Sequence, residues 1–191
     1  MATQKHTKIF TVLSFLRLRS PDIYWYQWIY PTAIFLILYL GGLLAHDYLV
    51  RFDRSKLAGD INILMGALVG FYIAALAAVS SFTNDNLDQV MKGRAPTITN
   101  RRQNQDIVEK LTRRRFLAIL FGYCANVSIV LFVFGVMQDH IAITNSIGPW
   151  VKSTLDVLKE IAWAVYLWLL ASLLVVTLLG LHYLIERMHR A

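Results

Sequence analysis

His182, Glu186 and His189 stand at i, i+4 and i+7, the spacing that places three metal-ligating side chains on one face of a helix. His189 lies close to the end of the sequence, where chain ends are poorly ordered. A polar helix face is therefore the simpler reading, and no metal is expected. His46 with Asp47, and Asp139 with His140, pair an imidazole that titrates near neutrality with a carboxylate. Each pair sits at the end of an apolar run, where ordinary solvated residues are the default. No Walker, dinucleotide, zincin or nucleophile-elbow motif occurs, and no nucleophile, acid and base converge. The expectation is a protein that is not an enzyme and binds no cofactor.

The elements that must position any site are long and apolar. The chain has 191 residues, 57% of them hydrophobic and 16% charged, with the charges gathered between runs that have none. Four runs, about 23–45, 61–84, 116–138 and 161–184, meet the roughly 20 residues a helix needs to cross a bilayer. A β-barrel would show shorter segments alternating with period two. The fold class expected is all-α, an integral membrane four-helix bundle in one domain. The single cysteine, Cys124, falls inside the third run, where it serves as a small packing residue.

The net charge of +7 is distributed by topology. Lys and Arg crowd the amino-terminal segment, the connection between the second and third runs and the carboxy-terminal tail, and are sparse in the other two connections. The positive-inside rule then places both termini and the central connection in the cytoplasm. The run of Arg113, Arg114 and Arg115 before an apolar stretch resembles a twin-arginine export signal, but it lies in mid-chain, and the anchoring role fits it better. No cleavable signal peptide is visible, since the first apolar stretch is short and runs into Arg17 and Arg19. Residues 8–18, with Ile9, Val12, Leu13 and Leu16 on one face, read as an amphipathic helix on the inner leaflet.

Within the spans, Tyr24, Trp25, Tyr26, Trp28 and Tyr30 form an aromatic belt, and Pro31 predicts a kink. Gly66, Gly70, Ala74 and Ala78 recur every four residues, a helix-packing stripe of the kind that lets backbones approach closely in lipid. The second span is accordingly expected to be central, its stripe touching another span or the same span of a second copy. Asn126 is an intramembrane polar residue, so it should face protein or water; interhelical hydrogen bonding or a polar pathway would satisfy it. Residues 46–60 read as a cap over the bundle, and 151–160 as an amphipathic helix at the outer interface.

The segment 85–115 carries eight of the 19 Lys and Arg residues. Lys92 and Gly93 give a helix stop, Asn100 is a plausible N-cap, and Glu109 with Arg113 is an i, i+4 pair. These signals predict a cytoplasmic helical hairpin, continuous with the second and third spans. Its Arg94, Arg101 and Arg102, with Arg113, Arg114 and Arg115 at its base, are the candidate contacts for a partner or for lipid headgroups. Four acidic residues dilute its charge, so direct nucleic-acid binding is not expected.

The layout, together with SFLRLRSPDIYW (14–25) and LTRRRFLAILFGY (111–123), resembles the membrane subunit of the bacterial Kiwa anti-phage defence system. That resemblance implies an inner-membrane protein that assembles with copies of itself and with a cytoplasmic DNA-binding protein partner, detecting phage attachment or injection. It carries over no site residue by motif. The function expected is a sensor or scaffold subunit that forms a homo-oligomer; the alternative is a small oligomeric ion channel with its pore between subunits, involving Asn126.

Overall fold

Buried residues of the second long helix recur every seven positions, at Ala58, Met65, Tyr72 and Val79. A seven-residue repeat keeps one seam against a neighbouring helix. On the helix packed against it Leu117, Leu120, Cys124, Val127 and Leu131, spaced three and four apart, are all buried. This seam is the backbone of the architecture.

The computed structural model describes residues 15–16, 18, 20–48, 54–81, 88–90, 96–102, 105–140 and 149–188. In chain order these form α1 (Pro21–Tyr24), a π-helical turn (Trp25–Ile29), α2 (Tyr30–Tyr48), α3 (Arg54–Ser81), β1 (Thr97–Arg102), β2 (Gln105–Lys110), α4 (Arg113–His140) and α5 (Pro149–Met188). Four stretches are long and apolar enough to cross a membrane: Asp22–Leu44, Lys56–Ser81, Arg113–Met137 and Trp150–Ile185. The expected four-helix membrane architecture is therefore present.

The helices pack in the order α2, α5, α4, α3. In their most apolar windows, 56% of the α4 residues and 44% of the α5 residues are buried, against 11% in each of the other two spans. Hence α4 and α5 are the centre, and α3, expected to be central, is a flank. Of its small-residue stripe, Gly66 meets Phe132 of α4 while Gly70 has open space around it. The buried positions follow the seven-residue repeat, because four-residue spacing drifts around the helix while seven-residue spacing stays on one side.

The irregular start of the first span follows from Pro31. Proline has no N–H, so the Gln27 carbonyl loses its usual helical donor. Just before it, the Tyr30 N–H reaches back to the Trp25 carbonyl, closing a wide turn. A π turn thus stands directly before Pro31, the position at which a kink was expected.

Between α3 and α4 the chain departs most from expectation. Residues 97–110 form an antiparallel two-stranded ribbon, not a helical hairpin, with Thr97 opposite Lys110, Thr99 opposite Val108 and Arg101 opposite Asp106. The β-branched residues Thr97, Ile98, Thr99, Ile107 and Val108 favour extended backbone. Asn100 is thus a ladder residue opposite Ile107, not a helix cap, and Glu109 lies in a strand, so it forms no helical pair with Arg113. The helix expected at 151–160 is not separate either, since α5 runs unbroken from Pro149 to Met188. α2 continues to Tyr48 and α3 starts at Arg54, so helix occupies much of the expected 46–60 cap. Most of the expected 8–18 helix lies outside the described residues.

Candidate functional site

Two pairs of strand-like contacts close the base of the ribbon. Leu111 N–H donates to the Pro96 carbonyl at 3.3 Å, extending the ladder one step below Thr97 and Lys110. Val90 then bridges to Thr112, and the Arg113 N–H donates to the Gln89 carbonyl at 3.3 Å. The chain that follows α3 is in this way fastened to the chain that enters α4. An ion pair completes the fastening: Arg114 Nη2 and Nε meet the two Asp88 carboxylate oxygens at 3.0 and 2.9 Å. The Nη2 contact has hydrogen-bond geometry, and the Nε contact is a charge contact only. Leu111 at its centre is fully buried.

The same end of the bundle receives the amino-terminal segment. The ring of Phe15 lies 4.9 Å from that of Tyr123, Phe15 and Leu18 are buried, and Gln27 Nε2 donates to the Phe15 carbonyl at 2.5 Å. The carboxy-terminal part of α5 arrives there too, since Phe116 packs edge-on against Tyr183 with centroids 5.5 Å apart. One end of the molecule thus gathers the ribbon, the start of the chain and the last turns of α5.

Inside the bundle, polar side chains tie three helices together. The Tyr72 hydroxyl of α3 shares a hydrogen bond of 2.5 Å with Thr177 of α5, and Thr177 also donates to the Leu173 carbonyl at 2.7 Å. Tyr123 of α4 bonds Ser172 of α5 at 2.8 Å. Asn62 of α3, with its amide oriented to pair both groups, donates to the Phe132 carbonyl and accepts from the Val136 N–H, each at 3.1 Å. These contacts are interhelical glue. They offer no acid, base or activated nucleophile. Cys124 is fully buried, and the Ser128 hydroxyl is buried without a partner.

The sequence-derived candidates fall in three places. Gly66 faces the Phe132 ring, a Cβ there falling 3.7 Å from it, while Gly70 has open space around it; Gly66, Gly70 and Ala74 are exposed and Ala78 is half-buried. Asn126 is half-buried, on the α4 face that also bears the exposed Ile129, Val130 and Val133. Arg113, Arg114 and Arg115 open α4 at the ribbon base, and Arg101 and Arg102 end β1. Arg94 and His189 lie outside the described residues. Among the described residues no group of three His, Cys, Asp or Glu is placed to hold a metal ion.

Sequence reasoning missed Asn62, Asp88 and the Tyr72–Thr177 and Tyr123–Ser172 pairs. Asn62 stood out in composition only as the first polar residue of its span. No family model matches the chain, and neither a curated protein nor a solved structure matches it.

Proposed function

We propose that the chain is a four-span bacterial inner-membrane sensor or scaffold subunit that assembles with its own copies and recruits a cytoplasmic protein through the ribbon. The observation that carries this reading is the fastened base at Asp88–Arg114 and Val90–Thr112, which pairs the chain ahead of the ribbon with the chain that enters α4. A displacement of α3 against α4 then moves the ribbon as a unit. With both termini and the ribbon in the cytoplasm, the basic residues Arg101 and Arg102, which end β1, are the ones matched to an acidic protein surface. The exposed Gly66, Gly70 and Ala74 stripe supports self-association, since small residues facing lipid let a second helix approach closely. An anti-phage defence role, with a DNA-binding companion, rests on the resemblance to the Kiwa membrane subunit.

The test is recovery of the partner from the native host with Arg101 and Arg102 both changed to Glu. Loss of the partner with the bundle intact supports the reading, and unchanged recovery removes the ribbon from it. A second reading, an intersubunit pore, is favoured by the position of Asn126 on a largely exposed α4 face.

A further inference from the structure

Among the described residues the sheet has two strands, so β2 is paired with β1 along one edge and with no strand along the other. Which of its backbone groups point outward follows from the ladder. Leu111 N–H donates to the Pro96 carbonyl at 3.3 Å, which makes Pro96 and Leu111 a directly bonded pair. Such pairs alternate along antiparallel strands, so Ile98 with Glu109, Asn100 with Ile107 and Arg102 with Gln105 exchange the hydrogen bonds inside the ribbon. The backbone N–H and C=O groups of Asp106, Val108 and Lys110 therefore point away from β1.

An open row of backbone donors and acceptors is a template for another strand, and a ribbon of two strands is marginal by itself in water. The order of residues along this edge selects the strand that fits. Laid antiparallel against a second β2 about a twofold at Val108, it sets Val108 opposite Val108, Asp106 opposite Lys110 and Lys110 opposite Asp106. Every outward residue then meets an outward residue, and each carboxylate meets an ammonium group. A slip of two positions either way sets Val108 opposite a charged residue and leaves an outward residue facing no strand. A slip of one sets outward groups against inward ones. Pairing β2 with the β1 of another copy would match Asp106 to Arg101 but set Lys110 opposite Thr97, and a head-to-tail contact of that kind does not close between two chains.

We infer that β2 is an interface between copies of this chain: two protomers join through an antiparallel β2–β2 pair centred on Val108, giving a four-stranded sheet in the order β1, β2, β2, β1. The inference rests on the self-association in the proposed function and names a surface for it apart from the Gly66 stripe. Copies in one bilayer are related about its normal, and a twofold at Val108 stands perpendicular to the sheet. The sheet therefore lies along the membrane face. β1, which ends in Arg101 and Arg102, is its outer strand, and the cytoplasmic partner of the proposed function meets it there.

The experiment is oxidative cross-linking of the full chain in native membranes. Cys124 is the one cysteine and is fully buried, so the parent supplies no background. Val108→Cys puts thiols at the twofold on Cα atoms about 5.5 Å apart, within the roughly 4.4–6.8 Å that a disulfide spans. Thr99→Cys, which faces Val108 within the ribbon, stands three strand spacings, about 14 Å, from its counterpart. The first should give a disulfide-linked dimer and the second none. Adding Asp106→Lys to Val108→Cys sets like charges opposite each other on both sides of the twofold and should lower the dimer yield about threefold or more. Lys110→Asp in that same chain should restore it. Arg101 faces position 106 inside the ribbon before and after the restoring change, so restoration reads the contact between copies and not the fold of the ribbon. In the unsubstituted chain, amide exchange over residues 105–110 should be slower in the assembled particle than in protomers separated by dilution in detergent. The β2 interface is overturned by any of four results: no dimer from Val108→Cys in a particle that light scattering finds oligomeric, an equal yield from Thr99→Cys, a yield indifferent to the charge at position 106, or exchange indifferent to assembly. A particle that light scattering finds monomeric overturns the self-association along with it.

Discussion

Asn62 of α3 lies against Gly135 of α4, its amide spanning the Phe132 carbonyl and the Val136 N–H on either side of that glycine. A Cβ at position 135 would fall 2.6 to 2.8 Å from the three amide atoms. The glycine is there for close approach, and the amide exploits that approach by bonding backbone.

Gly135→Ala should therefore destabilise the bundle by about 1–3 kcal/mol through overpacking. Asn62→Ala should cost about 0.6–1.7 kcal/mol, the range of interhelical hydrogen bonds in membranes. In the double variant the Gly135 term should shrink, since the amide it collides with is gone. Reversible unfolding in mixed micelles measures all three, and strictly additive effects would show that the two residues do not touch.

Tyr72→Phe removes the hydroxyl that joins α3 to Thr177 of α5 and keeps the ring. A loss of about 0.6 kcal/mol is expected, because Thr177 retains its bond to the Leu173 carbonyl. The same assay checks it.

Asp88 is 61% exposed and Arg114 25%. Their ion pair should contribute less than about 1 kcal/mol to stability and weaken with salt. Partner recruitment, in the proposed function, should respond more, because the pair lies beside the Val90–Thr112 bridge at the ribbon base. Asp88→Ala should leave the unfolding curve within that limit while reducing recovery of the partner in pull-downs.

A Gly-Gly-Ser insertion after Asn100 falls inside β1 and shifts every later residue against β2. One after Gln103 falls between the strands and only lengthens the connection. Since displacing a strand by an odd number of positions exchanges its faces, the first insertion should abolish partner binding and the second preserve it. Pull-down of the two chains side by side decides, and equal loss would mean that connection length, not register, is what the partner reads.

Gly70→Leu adds bulk where the protomer leaves open space. It should lower the mass of the solubilised particle without changing its unfolding temperature, as measured by light scattering with size exclusion. An intersubunit pore would instead announce itself as conductance in planar bilayers, altered by Asn126→Leu.

The four spans were legible because twenty apolar residues in a row admit few other readings. The ribbon was not, although its β-branched Thr97, Ile98, Thr99, Ile107 and Val108 carry the signal. The absence of Gly and Pro from Arg101 to Phe121 reads equally as an unbroken helix, and only cross-strand pairing separates the two. The packing of α3 was legible in part. Its four-residue Gly66 stripe is conspicuous because glycine is, whereas the seam at Met65 and Tyr72 is written in residues that any lipid-facing helix would also carry. Asn62 gave a weaker signal still, since its meaning depends on Gly135, more than seventy residues away.

The order of the helices also sets a timetable for biogenesis. α3 and α4 are consecutive in the sequence and share the longest seam, so they can pair as soon as both have left the ribosome. α2, made before them, packs on α5, which is made last. The first span must therefore wait in the bilayer through the synthesis of two others, and a chain released before α5 emerges would leave it without its partner, a state that membrane quality control is equipped to recognise.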